Sequence, residues 1–243
     1  MMMSDPTRPQ RHFHDELDRL QERLMTMAHK AETMVEMAVA AVEAKDRSVA
    51  KVMRERDEEV DTIEIEIDEQ VTELLALHQP MASDLRQVIS ALKVANDLER
   101  VGDHAVNVAR AAKRLSKAPA LPEILEVGEM AVIARRMLHD ALNCYVGRDT
   151  DLALHVCRTD DKVDALRHSL YRILLTHMFE DASMISGALE LLRISQSIER
   201  IADLATNIAE DVVFMVEGQS MKHGRVGTPP DYDLERDTDT EGD

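Results

Sequence analysis

Aromatic side chains are almost missing from this chain: three Tyr, three Phe and no Trp in 243 residues. Glycine and proline are also scarce, at 8 and 7. Strands favour β-branched and aromatic residues, and sheets need a turn every few positions. Both requirements fail here, which excludes a sheet-rich fold and leaves long helices. No long apolar run is present either. The longest stretch without Asp, Glu, Lys or Arg is Leu74–Ser83, ten residues, whereas a membrane helix needs about 20. The opening "MMMSDPTRPQ" has no apolar segment of the secretory kind. The reading is a soluble, cytoplasmic protein with no direct membrane insertion, reaching a membrane only through a partner. Cysteine is limited to Cys144 and Cys157, on different expected helices. Two thiols make no disulfide framework, so both are expected to be reduced. Positive charge is in deficit, with 29 bases against 47 acids and a net charge of −18. Nucleic acid and anionic lipid call for a basic face, so cations and basic protein surfaces are the expected partners.

What the chain does have is hydrophobic periodicity. Phe13, Leu17, Leu20, Leu24, Met27, Ala31, Met34, Ala38 and Ala41 alternate spacings of four and three, the stripe of a long amphipathic helix. "KDRS" around Asp46 reads as a turn, with Ser48 as a cap. A second helix carries Val60, Ile63, Ile67, Val71 and Leu74 and ends before Pro80. Ser83 or Asp84 is expected to open a third, with Val94, Leu98, Val101, Ala105, Val108, Ala112 and Leu115. "KAPALP" then breaks the chain. The plan repeats afterwards. Val127, Met130, Ala134, Met137, Ala141 and Cys144 form a fourth stripe, and "VGRDTD" a turn. Val163, Leu166, Leu170 and Leu174 form a fifth. With Ser183 as the expected cap, Ile194, Ile198, Ile201, Ala205, Ile208, Val212 and Met215 form the sixth. The expectation is an all-α protein of two homologous antiparallel three-helix bundles side by side. Residues 1–11 form a flexible N-terminus, 12–118 the first repeat, 119–218 the second and 219–243 a disordered acidic tail. That tail carries seven acids, three bases and little to bury.

The duplication extends to polar positions. "NDLERVGDHAVNVAR" (96–110) and "QSIERIADLATNIAE" (196–210) agree at six of fifteen positions. Glu99, Asp103 and Asn107, like Glu199, Asp203 and Asn207, are spaced four and four, which places each set on one helix face. The preceding helices hold Asp57 with Asp61 and Asp160 with Asp164, again four apart. Like charges at that spacing destabilise a helix by a few tenths of a kcal/mol. A divalent or trivalent cation removes the repulsion, and clustered carboxylates offer hard oxygen ligands with room for more than one ion. Asn107 and Asn207 could support such a site from its edge. Arg100 and Arg200 recur as well, and neutralising the stripe is their default role. Any one acid pair alone is an ordinary solvated helix face; four pairs on equivalent helices favour metal. While the acid pairs hold, neighbouring positions drift: Glu64 corresponds to Arg167 and Asp68 to Tyr171.

Other chemistry finds no support. None of the ten histidines has Glu three residues before it, against a ferritin-like di-iron site. His104 has no counterpart at Leu204 and reads as a surface or core-edge residue. There is no P-loop, no G-x-G-x-x-G, no G-x-S-x-G and no C-x-x-C, so no catalytic residue is assigned. The 15 methionines read mainly as core filler. The basic run Arg110–Lys117 suits a helix C-terminus; an anion contact there is a second reading.

With the duplicated E-R-x-x-D-x-x-x-N, the D-x-x-x-D pairs and "HQPMASDLRQVISALKVANDLER", residues 12–218 resemble the PhoU family of phosphate-signalling accessory proteins. The resemblance implies two three-helix bundles and metal ions, iron or zinc foremost with magnesium or manganese as alternatives, possible as multinuclear clusters. Its ligands would be Asp57, Asp61, Glu99 and Asp103 in one bundle and Asp160, Asp164, Glu199 and Asp203 in the other. It also implies a non-enzymatic negative regulator of phosphate uptake and of the phosphate-starvation response. Such a regulator couples the ATPase subunit of a phosphate importer to a sensor histidine kinase, and is a homodimer or higher oligomer. Two other readings remain open at this point: a metal-dependent hydrolase or oxidase built on the carboxylates, and a metal-free helical scaffold.

Overall fold

The computed structural model describes residues 8–119, 121, 122, 124–219 and 221. Six long helices account for nearly all of them: α1 Arg8–Glu43, α2 Val49–His78, α3 Ala82–Leu115, α4 Leu125–Gly147, α5 Thr150–Glu180 and α6 Ile185–Glu217. A 3₁₀ turn at Ala182–Met184 precedes α6. The first helix thus begins at Arg8, before the boundary expected at 12. The remainder of the expected flexible N-terminus, and all of the expected acidic tail except Gln219 and Met221, lie outside the described residues.

The helices group as the stripes require. α1, α2 and α3 pack mutually, as do α4, α5 and α6, and the two bundles meet along α3 and α6 with a lesser contact of α1 with α4. Every residue of the α1, α4 and α6 stripes is buried. On α2, α3 and α5 the exceptions are Ile63, Leu115 and Leu166, which are partly buried against the core. The methionines Met27, Met34, Met53, Met130 and Met137 are fully enclosed, as filler of irregular gaps should be. No described helix is long and apolar enough to cross a membrane. Both cysteines are free.

The helix starts depart from expectation. Ser48 precedes α2, yet its side chain makes no capping bond. Its N–H and hydroxyl both donate to Asp46 Oδ1 at 2.8 Å instead, and this holds the Asp46 carboxyl below its usual range. Neither Ser83 nor Asp84 caps α3: the helix opens at Ala82 behind an extended Met81. Ser183 lies inside the 3₁₀ turn, and Asp181 is the cap, accepting from Ser183 N at 2.8 Å. At the turn before α5 the cap is Asp149, accepting from Leu152 N at 3.0 Å. A carboxylate accepts more strongly than a hydroxyl and carries charge toward the positive helix end, so aspartate takes these positions.

Polar burial is confined to one place. Seven polar or charged residues are buried among the described residues: Gln87, Ser90, Asp97, Glu190, Ser195, Ser197 and Asp211. All seven lie on α3 or α6. Each is the helix that packs both within its own bundle and across to the other. The bundle-to-bundle face is therefore held partly by directional bonds: Lys93 Nζ to Asp211 Oδ1 at 2.9 Å, Arg86 Nε to the Met215 carbonyl at 3.2 Å and Arg114 Nε to Glu190 Oε2 at 2.8 Å. The pairing of 86 with 215 at one end and 114 with 190 at the other makes α3 and α6 antiparallel.

Candidate functional site

In the first bundle, Asp57 and Asp61 stand one turn apart on α2, and Glu99 and Asp103 one turn apart on α3. The two helices pack together, so the pairs share one electric field. Glu99 is half-buried, and its carboxyl is pushed up to about 7 by burial first and then by Asp103, Glu64, Asp61 and Asp57. Asp57 is pushed up to about 6 by burial, with Asp61 and Asp103 adding and Arg110 opposing. Asp61 is raised by burial, Asp103 and Glu58. A close approach between the helices sharpens the cluster: a Cβ added to Gly102 would lie 3.4 Å from Asp57 Oδ1. Glu64, one turn beyond Asp61, is a fifth acid of this cluster, raised by burial first. It did not stand out in the sequence because its counterpart in the second repeat is Arg167.

That exchange changes the second bundle. Asp160 is still pushed up to about 6, by burial and then by Asp203, Asp164, Asp161 and Glu199. Glu199 is raised by burial, but Arg167 opposes the shift. Arg167 Nη1 donates to Glu199 Oε1 at 3.3 Å. Arg200 Nη1 donates to Asp203 Oδ2 at 2.9 Å, and its Nε lies 3.8 Å from Glu199 Oε2. Glu199 Oε2 is nevertheless buried without a hydrogen-bond partner. The first bundle thus clusters five acids with Arg110 opposing at Asp57, whereas in the second two arginines bond Glu199 and Asp203 directly.

The repeated flanking residues do not repeat their contacts. Arg100 pairs with Asp97, at 3.6 Å, rather than with its own acid stripe. Arg200 pairs with its stripe directly. Asn107 is exposed and accepts from Arg110 Nη1 at 3.5 Å, while Asn207 is half-buried on α6. His104 is half-buried, with its Nδ1 enclosed and unpartnered; burial lowers its pKa.

Among the described residues, one trio of potential metal-binding side chains has all its ligand atoms within 4.8 Å of one another: His12, Glu16 and His78. His12 Nδ1 lies 2.9 Å from Glu16 Oε1, and His78 Nε2 lies 3.0 Å from Glu16 Oε2. The sequence hides this trio, because His78 is 62 residues from Glu16 and meets it only where α2 ends beside the start of α1. In neither bundle do the acids form so tight a trio. Burial and mutual repulsion raise Asp57, Asp61, Glu64 and Glu99 in the first cluster and Asp160 and Glu199 in the second.

Two copies of a three-helix bundle, each with paired acids on its second and third helices, define a duplicated helical-bundle protein with one carboxylate cluster per repeat. Comparison with known proteins narrows this. The family model described as "PhoU domain" matches twice, at residues 24–112 and 127–212, once in each bundle. A PhoU homologue of Clostridium acetobutylicum, named a phosphate-specific transport system accessory protein, is 34% identical over 86% of this chain and 96% of its own. One from Pseudomonas putida under the same name is 38% identical over 87% of this chain and 83% of its own. The crystal structure of PhoU from Pseudomonas aeruginosa superposes with a TM-score of 0.83 at 38% identity, covering 85% of this chain and all (100%) of that one. That of the phosphate transport system regulatory protein PhoU from Streptococcus pneumoniae gives 0.79 at 26% identity, covering 86% and 98%. The chain belongs to the PhoU family. Relatives named as accessory and regulatory proteins agree with the sequence reading of a protein that is not an enzyme.

Proposed function

We propose that this chain is a cytoplasmic, metal-binding regulator that restrains phosphate uptake and the phosphate-starvation response when phosphate is plentiful. The observation that carries the reading is the double family match, one per bundle, with relatives named for the phosphate-specific transport system. Its partners would be the ATPase subunit of the importer and the sensor histidine kinase, met as a homodimer or higher oligomer. A deletion strain tests the role. At high phosphate it should show raised alkaline phosphatase output and raised phosphate import; wild-type levels of both would reject it.

Asp57, Asp61, Glu99 and Asp103 would hold metal in the first bundle, and Asp160, Asp164, Glu199 and Asp203 in the second. The donor set fits a hard cation or a cluster of several, iron or zinc foremost and magnesium or manganese next. The buried Glu199 Oε2, which accepts no hydrogen bond, supports the fit, as does the crowding of Glu99 by four other acids. The bound ion supplies positive charge that offsets carboxylate repulsion. The chain's own residues orient those carboxylates: Arg167 fixes one oxygen of Glu199 and Arg200 one of Asp203. Elemental analysis of the purified chain checks the assignment. Glu99→Ala/Asp103→Ala should lose the metal of the first bundle, and an unchanged metal content would remove those acids from the site.

A further inference from the structure

The duplication relates the two halves of the α3–α6 seam, so one half serves as a control for the other. Around one half, Lys93 bonds Asp211 and its ammonium lies 4.8 Å over the Phe214 ring. The equivalent positions in the other half, shifted by 100, are Arg193 for Lys93, Arg114 for Phe214 and Arg110 for Glu210. Where that half has an aromatic ring and an acid, this one has guanidiniums, and a cleft of about 290 Å³ lies there. Arg110 and Arg114 of α3 face Arg193 and Arg200 of α6 across it, with His104 and Ser197 on its wall.

These four arginines are under-supplied with anions. Glu190 alone serves both Arg114, at 2.8 Å, and Arg193. Arg200 bonds Asp203 and lies 3.8 Å from Glu199, which Arg167 also holds. Arg110 donates to the Asn107 amide oxygen at 3.5 Å, and its charge also acts on Asp57. A guanidinium has five N–H donors, and these bonds engage one or two on each. Arg110 and Arg114 also line a neighbouring depression in which they, Lys51, Arg54, Lys113 and Lys117 outnumber Glu55 and Glu58. So much positive charge in one place, on a chain of net charge −18, makes a local field that draws small anions inward.

We propose that this cleft binds a phosphate-class oxyanion, either free inorganic phosphate or the phosphoryl group of a small phosphomonoester. Forked guanidinium donors match tetrahedral phosphate oxygens two at a time. The cleft volume sits at the lower limit of small-molecule sites, which suits a single hydrated oxyanion. Ser197 and Gln196 line the cleft beside the arginines. None of the eight acids assigned to metal lines the cleft, but Arg200 at its edge bonds Asp203, so phosphate binding is read on metal-free protein.

Calorimetric titration of the full chain, freed of metal on a chelating resin, tests this with sodium phosphate against sodium chloride at matched ionic strength. Saturable one-to-one binding of phosphate is expected. Arg110→Gln and Arg193→Gln should each weaken it at least fivefold, while Arg19→Gln, on the exposed face of α1, should leave it unchanged. Phosphoserine binding more tightly than orthophosphate would identify a phosphomonoester as the source, and the reverse order the free ion. Acetate binding as tightly as phosphate, an equal response to chloride, or full affinity in both folded cleft variants would overturn the proposal. Broadening of the phosphorus-31 resonance of phosphate by the wild-type chain gives a readout that needs no variant, and its absence would also overturn it.

Discussion

Burial and four neighbouring acids lift the Glu99 carboxyl to about 7, and Asp57 and Asp160 reach about 6. Unfolded carboxylates release their protons near pH 4. Between about pH 4 and 7 the folded chain therefore binds more protons than the unfolded chain, and its stability falls as pH rises through that window. The melting temperature of metal-free protein should drop from pH 5 to pH 7.5, and Glu99→Gln should flatten the drop. A bound cation reverses the slope, because it needs the deprotonated carboxylates. Melting curves across that pH range, with and without added zinc, check both statements; a flat metal-free profile would contradict the first. The eight acids were legible in the sequence because their four-residue spacing recurs in both repeats. Glu64 and Arg167 were not, because they differ between the repeats and so read as drift. That difference adds an acid to one cluster and an arginine bond to the other. His12, Glu16 and His78 were illegible for another reason: only the meeting of two helix ends brings them together.

At the scale of elements, the stripes located all six helices, since a core-facing position admits little besides apolar side chains. The starts were read less well. Serine and aspartate both suit an N-cap, and local sequence does not say which will have the free backbone N–H within reach. The energetic consequence is testable at α5. Asp149→Ala removes the Leu152 N–H acceptor and should destabilise the chain by about 1 kcal/mol, roughly 2–4 °C in a protein of this size. Ser48→Ala removes no helix cap and should change stability by less than about 0.5 kcal/mol. Equal losses in the two variants, measured by thermal unfolding, would contradict the assignment of caps.

For the whole molecule, the side-by-side placement of the bundles was expected, but the face that joins them was hidden. That face is partly small and polar, with Ser90, Ser197, Asp211 and Glu190 buried in it, so it carries no hydrophobic signal. Its stability should depend on pairing. Asp211 has a side chain only 4% exposed, while Lys93 is 39% exposed. Lys93→Met keeps contact with Phe214 but leaves a buried carboxylate unpaired. It should cost about 2 kcal/mol, below the range for a fully buried pair because water reaches Lys93. Urea unfolding of the full chain measures it, and a loss under about 0.5 kcal/mol would show that the bond is replaced by solvent. The seam has one more consequence. Two separate copies meeting about a two-fold axis must make every contact twice. Joined in a single chain, they need not: Lys93 has its acid at 211, whereas the corresponding residue in the other half is Ala111 and Arg193 bonds Glu190 instead. Covalent fusion has released the interface from isologous symmetry, leaving one edge free to act as a fastener and the other as a receptor.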